Sequence, residues 1–129
     1  MSGKFLLDTS ILIALFSGDT SVQVHLENAD EVFISSTVLG ELYFGARKSH
    51  HIKKNLAHID EFASNITVLS CDSNTARKYG LIKNNLFEKG KPIPENDIWI
   101  AAVALQHDLI IATRDDHFTK VGKLKCEAW

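Results

Sequence analysis

The sequence predicts an α/β fold of three layers, with a mainly parallel central sheet of about four to five strands covered by helices on both faces. Three observations predict it. Short apolar runs alternate with helical segments along the whole chain. The first run, Lys4 to Leu7, turns directly into a helix at Asp8-Thr9-Ser10, as a parallel crossover unit does. The stretch from Pro94 to Phe118, PENDIWIAAVALQHDLIIATRDDHF, reads as a helix apolar on nearly every side followed by a buried strand, with Asp97 and Asp115 bracketing the pair.

Taken in order, ILIALF forms the first helix, broken by Ser17-Gly18-Asp19, and Ser21 to Ala29 forms a second, with Val22, Leu26 and Ala29 at helical spacing. Val32-Phe33-Ile34 is the next strand. Ser35-Ser36 supplies an N-cap for a helix over Thr37 to Lys48, whose stripe Val38, Leu42, Gly45 runs beside Glu41. Gly40 and Gly45 each cost about 1 kcal/mol of helix propensity, which predicts close packing of that helix against a neighbour. Ser49 to Phe62 continues as a helix with Ile52, Leu56, Ile59 and Phe62 inward. Ile66 to Leu69 is a third strand, and Asp72 or Ser73 caps a long helix reaching about Lys89. Gly90-Lys91-Pro92-Ile93-Pro94 ends that helix in a loop. A short last strand falls near Lys125 to Ala128. With no repeat, low-complexity tract or linker in its 129 residues, the chain reads as a single domain over 1–129.

Composition narrows the functional classes. Fourteen basic against sixteen acidic residues give a net charge of −2, so no global positive field marks a nucleic-acid-coating protein. A nuclease stays open, because neutralising four metal-binding acids would leave the remainder at +2. Cys71 and Cys126 lack CxxC spacing and are expected as two reduced core thiols of a cytoplasmic protein. No run is long enough for a membrane span. His50-His51 and the other histidines show no zinc-ligand spacing.

Four carboxylates stand out: Asp8 after strand one, Glu41 beside an apolar stripe, Asp97 opening a helix and Asp115 after LIIAT. Each alone has an ordinary explanation, as a cap, a helix-terminus charge or a turn residue. Together they differ, because parallel strands bring Asp8 and Asp115 to the same sheet edge, where clustered carboxylates repel unless they share protons or cations. An oxygen-only donor set suits Mg²⁺ or Mn²⁺, and such an ion suits phosphodiester hydrolysis.

The segments LLDTSILIALF, SSTVLGELYFGARKS and ENDIWIAAVALQHDLIIATRDDHF resemble the PIN-domain family, more narrowly its VapC-type toxins of toxin–antitoxin pairs. The resemblance spans nearly the whole chain. It implies a PIN-like, Rossmann-like fold and a Mg²⁺- or Mn²⁺-dependent endoribonuclease acting on tRNA or other structured RNA. It further implies a homodimer silenced by a cognate VapB-type antitoxin. By position it assigns Asp8, Glu41, Asp97 and Asp115 as metal-binding catalytic acids, with Thr9 and Thr113 as hydroxyls supporting them. Asp115 stands two residues after the threonine that ends the strand; its neighbour Asp116 remains the alternative fourth acid.

Other features weigh less. His117 is read as a surface histidine near the acidic turn, with contact to substrate as the alternative, and Trp99 as packed beneath the helix that opens at Asp97. Tyr43-Phe44 is read as core or subunit interface. Arg47-Lys48, Lys53-Lys54, Arg77-Lys78 and Lys91 are solvated faces or an RNA path. Two competing readings remain. A haloacid-dehalogenase-type phosphatase needs an acid where Ser10 stands, and a non-catalytic PIN-like scaffold or RNA-binding adaptor would be expected to lack one of the four acids.

Overall fold

The structure, a computed structural model, describes residues 3–129. Five strands, β1 (Lys4–Leu7), β2 (Glu31–Ser35), β3 (Thr67–Leu69), β4 (Ile110–Ala112) and β5 (Cys126–Glu127), form one sheet in the order β3-β2-β1-β4-β5. Every neighbouring pair is parallel. Six α-helices fill the crossovers: α1 (Thr9–Phe16), α2 (Thr20–Asn28), α3 (Ser36–Arg47), α4 (Ile52–Ser64), α5 (Ser73–Glu88) and α6 (Glu95–His107). Right-handed crossovers put α1 to α4 on one face of the sheet and α5 with α6 on the other. This is the expected three-layer architecture, with all strands parallel.

Local chemistry explains where the helices begin. Asp8, Asp19, Ser35 and Asp72 each accept a backbone N–H from the first turn of α1, α2, α3 and α5. Asp72 and Thr75 complete a reciprocal capping box. The core runs through the sheet, with Leu6, Leu7, Ile34 and Ile111 buried between the layers. On α6, Ile98 and the run Ile100 to Ala104 are buried, so this helix is enclosed on nearly every side.

The chain leaves β1 toward β2 and β3, then returns across the sheet to β4 and β5. Strand order therefore reverses between β1 and β4, and the carboxyl ends of those two strands flank the crevice where open parallel sheets place ligands. Leu7 pairs with Ala112, so Asp8 and Thr113 emerge side by side there.

Several expectations change. Helix α4 starts at Ile52 rather than Ser49, because the Ser49 N–H and hydroxyl both bond back to the Ala46 carbonyl and close off α3. Gly40 and Gly45 do not mark close packing: a Cβ on either would meet nothing within 4 Å, since both lie on the exposed side of α3. Cys71 and Cys126 are free thiols but not core residues. Both are exposed, Cys71 near the hydroxyls of Ser36 and Thr37 and Cys126 on the edge strand. Trp99 lies on the flank of α6, stacked on Tyr79 of α5 at 4.0 Å between ring centroids. Phe44 is 64% exposed and is not core.

Candidate active site

Asp8 is the buried centre of the rim, 5% exposed at the end of β1. Its Oδ1 accepts from the Ser10 hydroxyl at 2.6 Å and the Ile11 N–H at 3.2 Å, and its Oδ2 accepts from the Thr113 hydroxyl. The same Thr113 oxygen accepts the Asp115 N–H at 2.9 Å. Thus the threonine that ends β4 ties one acid of the rim to the backbone that carries another. Ser10 plays a similar part, taking the Arg114 N–H at 3.2 Å.

The other side of the rim is built from α3 and α6, which approach each other over the sheet edge. Glu41 on α3 accepts from the Thr9 hydroxyl at 2.7 Å. Asp97 lies in the first turn of α6, where the helix dipole favours negative charge. Burial pushes the Asp97 pKa above the ordinary carboxylate value, and the charges of Asp115 and Glu41 push it the same way, against the hydrogen bond from His117.

His117 is the residue that sequence reasoning undervalued. Its Nδ1 stands 2.8 Å from Asp97 Oδ2 and 3.0 Å from Asp115 Oδ1, while its backbone N–H donates to Asp115 Oδ1 at 2.9 Å. Buried Phe118 anchors the next position. A histidine two residues beyond an acidic turn was the available signal, but which way its ring turns depends on the 3-10 helix formed by Asp116–Lys120. Asp115 caps that helix and faces Asp97, whereas Asp116 is exposed and lies outside the cluster. Arg114, also missed, bonds the Trp129 carbonyl at 2.7 Å and Asp19 at 2.9 Å, lowering the Asp19 pKa and fixing the loop from behind.

One ligand atom each from Asp97, Asp115 and His117 lies within 4.8 Å of the others. The 2.8 and 3.0 Å separations are hydrogen-bond distances from His117 Nδ1 to the two carboxylates, so the ring holds Asp97 and Asp115 at the spacing of neighbouring groups in one cluster. Asp8 and Glu41 are not in that triad. Asp8 is tied to it by Thr113, which also takes the Asp115 N–H, while Glu41 bonds Thr9, the residue next to Asp8.

The PIN domain family profile matches residues 5–124, and the chain belongs to that family. Within it, the chain is 36% identical over 129 residues to Ribonuclease VapC2 of Haemophilus influenzae, covering 98% of both. It is 39% identical over 129 residues to the tRNA(fMet)-specific endonuclease VapC of Shigella flexneri, again covering 98% of both. In three dimensions it matches a chain of DNA-bound VapBC from Salmonella typhimurium with a TM-score of 0.90 and 32% identity, over 98% of each chain. No helix among the described residues is long and apolar enough to cross a membrane.

Proposed function

We propose that the chain is a metal-dependent endoribonuclease, the toxin of a VapBC-type pair acting in the cytoplasm. The observation that supports this reading is the acidic crevice at the sheet's switch point, where Thr113 links Asp8 to the backbone of Asp115, His117 bridges Asp115 and Asp97, and Glu41 bonds Thr9 beside Asp8. Asp97 and Asp115 would hold Mg²⁺ or Mn²⁺ from one side, with Asp8 and Glu41 completing the acidic set. When bound, the ion supplies Lewis acidity at a phosphodiester and makes water acidic enough to attack near neutral pH.

The protein's own groups prepare that space. Thr113 and Ser10 hold the Asp8 carboxylate from two sides, so its remaining lone pairs point in fixed directions. Thr9 does the same for Glu41, and His117 bridges Asp97 and Asp115. Such outer contacts set the orientation of ligands as strictly as the ligands set the ion. RNA is the proposed substrate, with tRNA first because the Shigella flexneri relative bears that name. A cognate VapB-type antitoxin and a second copy of the chain are the proposed partners. An apolar groove of about 350 Å³ between α1, α3 and α4, lined by Ile13, Phe16 and Leu42, is the proposed seat of an antitoxin helix.

The test is cleavage of a defined tRNA by purified protein with Mn²⁺, with Mg²⁺ and in EDTA, beside calorimetric titration of Mn²⁺. Asp8→Asn and Asp115→Ala are expected to lose both metal binding and cleavage, and Asp116→Ala to keep both. Cleavage that persists in EDTA would sink the metal-dependent reading, and the opposite pattern for the last two variants would move the fourth acid to Asp116.

A further inference from the structure

The rim that we read as the nuclease centre concentrates four of the sixteen acids that give the chain its net charge of −2, so without a bound cation it repels a polyanion. The attraction needed to hold RNA must come from elsewhere on the surface. A groove of about 410 Å³ between α5 and the segment after β4 has that character. Lys78 and Lys89 stand on the α5 wall, and Lys120 and Lys123 on the opposite wall. Ile82 and Leu105 form part of an apolar floor between them, and no Asp or Glu lines the groove. None of the four lysines is in an ion pair among the described residues.

We propose that this four-lysine groove is an exosite that binds the phosphodiester backbone of the RNA beyond the cleavage point. The inference rests on the nuclease reading of the rim. Continuity with that rim, together with charge, selects RNA over an acidic protein segment. Lys120 closes the 3-10 helix that Asp115 caps, five residues away at about 2.0 Å of rise each, or roughly 10 Å. The α5 wall from Lys78 to Lys89 offers about 16 Å more at 1.5 Å per residue. The exosite grips charge and shape, so it sets how long a substrate must be rather than which base is cut.

The test uses the full chain, a fluorescein-labelled single-stranded RNA of a dozen nucleotides and EDTA to prevent cleavage. Anisotropy titrations across a salt series give the slope of log K against log salt, to which each neutralised phosphate contributes about 0.7 on a single strand. Lys120→Gln/Lys123→Gln is expected to reduce the slope by about 1.4, and the quadruple variant with Lys78→Gln and Lys89→Gln by about 2.8. A Lys53→Gln/Lys54→Gln control on α4 is expected to keep the wild-type slope. An unchanged slope in the groove variants, a control that drops as far as the first pair, or no binding by wild type each overturns the exosite. So does a groove variant that binds RNA like wild type but loses affinity for a polyglutamate peptide, since the groove would then belong to an acidic protein. Cleavage of the same RNA with Mn²⁺ is scored separately. Cleavage with unchanged slopes removes the exosite alone, and changed slopes without cleavage remove the nuclease reading alone.

Discussion

Replacing Thr113 by valine tests how the rim is held together. The side chain is 5% exposed, and valine keeps its shape while deleting the hydroxyl that donates to Asp8 and accepts from the Asp115 N–H. A hydrogen bond to a charged group contributes about 1.5–3 kcal/mol, and the half-buried Asp115 N–H regains water, so the expected loss is about 2 kcal/mol. With an unfolding entropy typical for a chain of this length, that lowers the thermal midpoint by about 7 °C. Urea and thermal unfolding in EDTA measure it without a contribution from bound metal. Thr113→Ser keeps both hydrogen bonds and gives up one methyl group, at about 1 kcal/mol. A double-mutant cycle of Thr113→Val with Asp8→Asn isolates the pair, and a coupling of about 1 kcal/mol is expected because a neutral acceptor benefits less from the hydroxyl. Strict additivity, or Thr113→Val unfolding within about 0.5 kcal/mol of wild type, would refute the account of Thr113 as the link between the acids.

Two further outcomes follow from the same contacts. Burial, and then Asp115 and Glu41, raise the Asp97 pKa against the His117 hydrogen bond, so the folded state takes up this proton more readily than the unfolded one. Ionised Asp97 therefore costs stability above its folded pKa, and the cost fades as pH falls toward the unfolded value. In metal-free protein, Asp97→Asn should raise the thermal midpoint at pH 7 and lose that advantage in acid; a midpoint equal to or below wild type at pH 7 contradicts it. Gly40→Ala should stabilise the fold by about 1 kcal/mol, raising the midpoint by about 4 °C, because α3 gains propensity and the new Cβ meets open space. A lower midpoint in calorimetry would mean that the site is occluded in solution.

Features of the chain differ in how far they can be read without coordinates. Strand β1 and its terminal Asp8, the Asp72 cap and the enclosed helix α6 were legible because caps and periodicity act within a few residues. The four acids were legible as a pattern, and the resemblance ordered them. The outward face of Gly40 and the exposed thiols of Cys71 and Cys126 were not, since small residues suit a packed surface and an open one alike. Nor could the sequence turn His117 inward, because its ring is aimed by a single 3-10 turn whose position depends on the strand before it.

The residue order alone thus settles which side chains carry charge, where a capped helix such as α3 or α5 starts and which runs are apolar enough to be buried. Tertiary structure decides which of those charges meet. Thr9 reaches Glu41 across 32 residues, and Thr113 reaches Asp8 across 105. The second depends on the parallel register that sets Leu7 beside Ala112, and the first on the one that sets Leu6 beside Phe33, since α1 and α3 follow β1 and β2. A slip of one residue would turn alternate side chains to the other face of the sheet and scatter the rim.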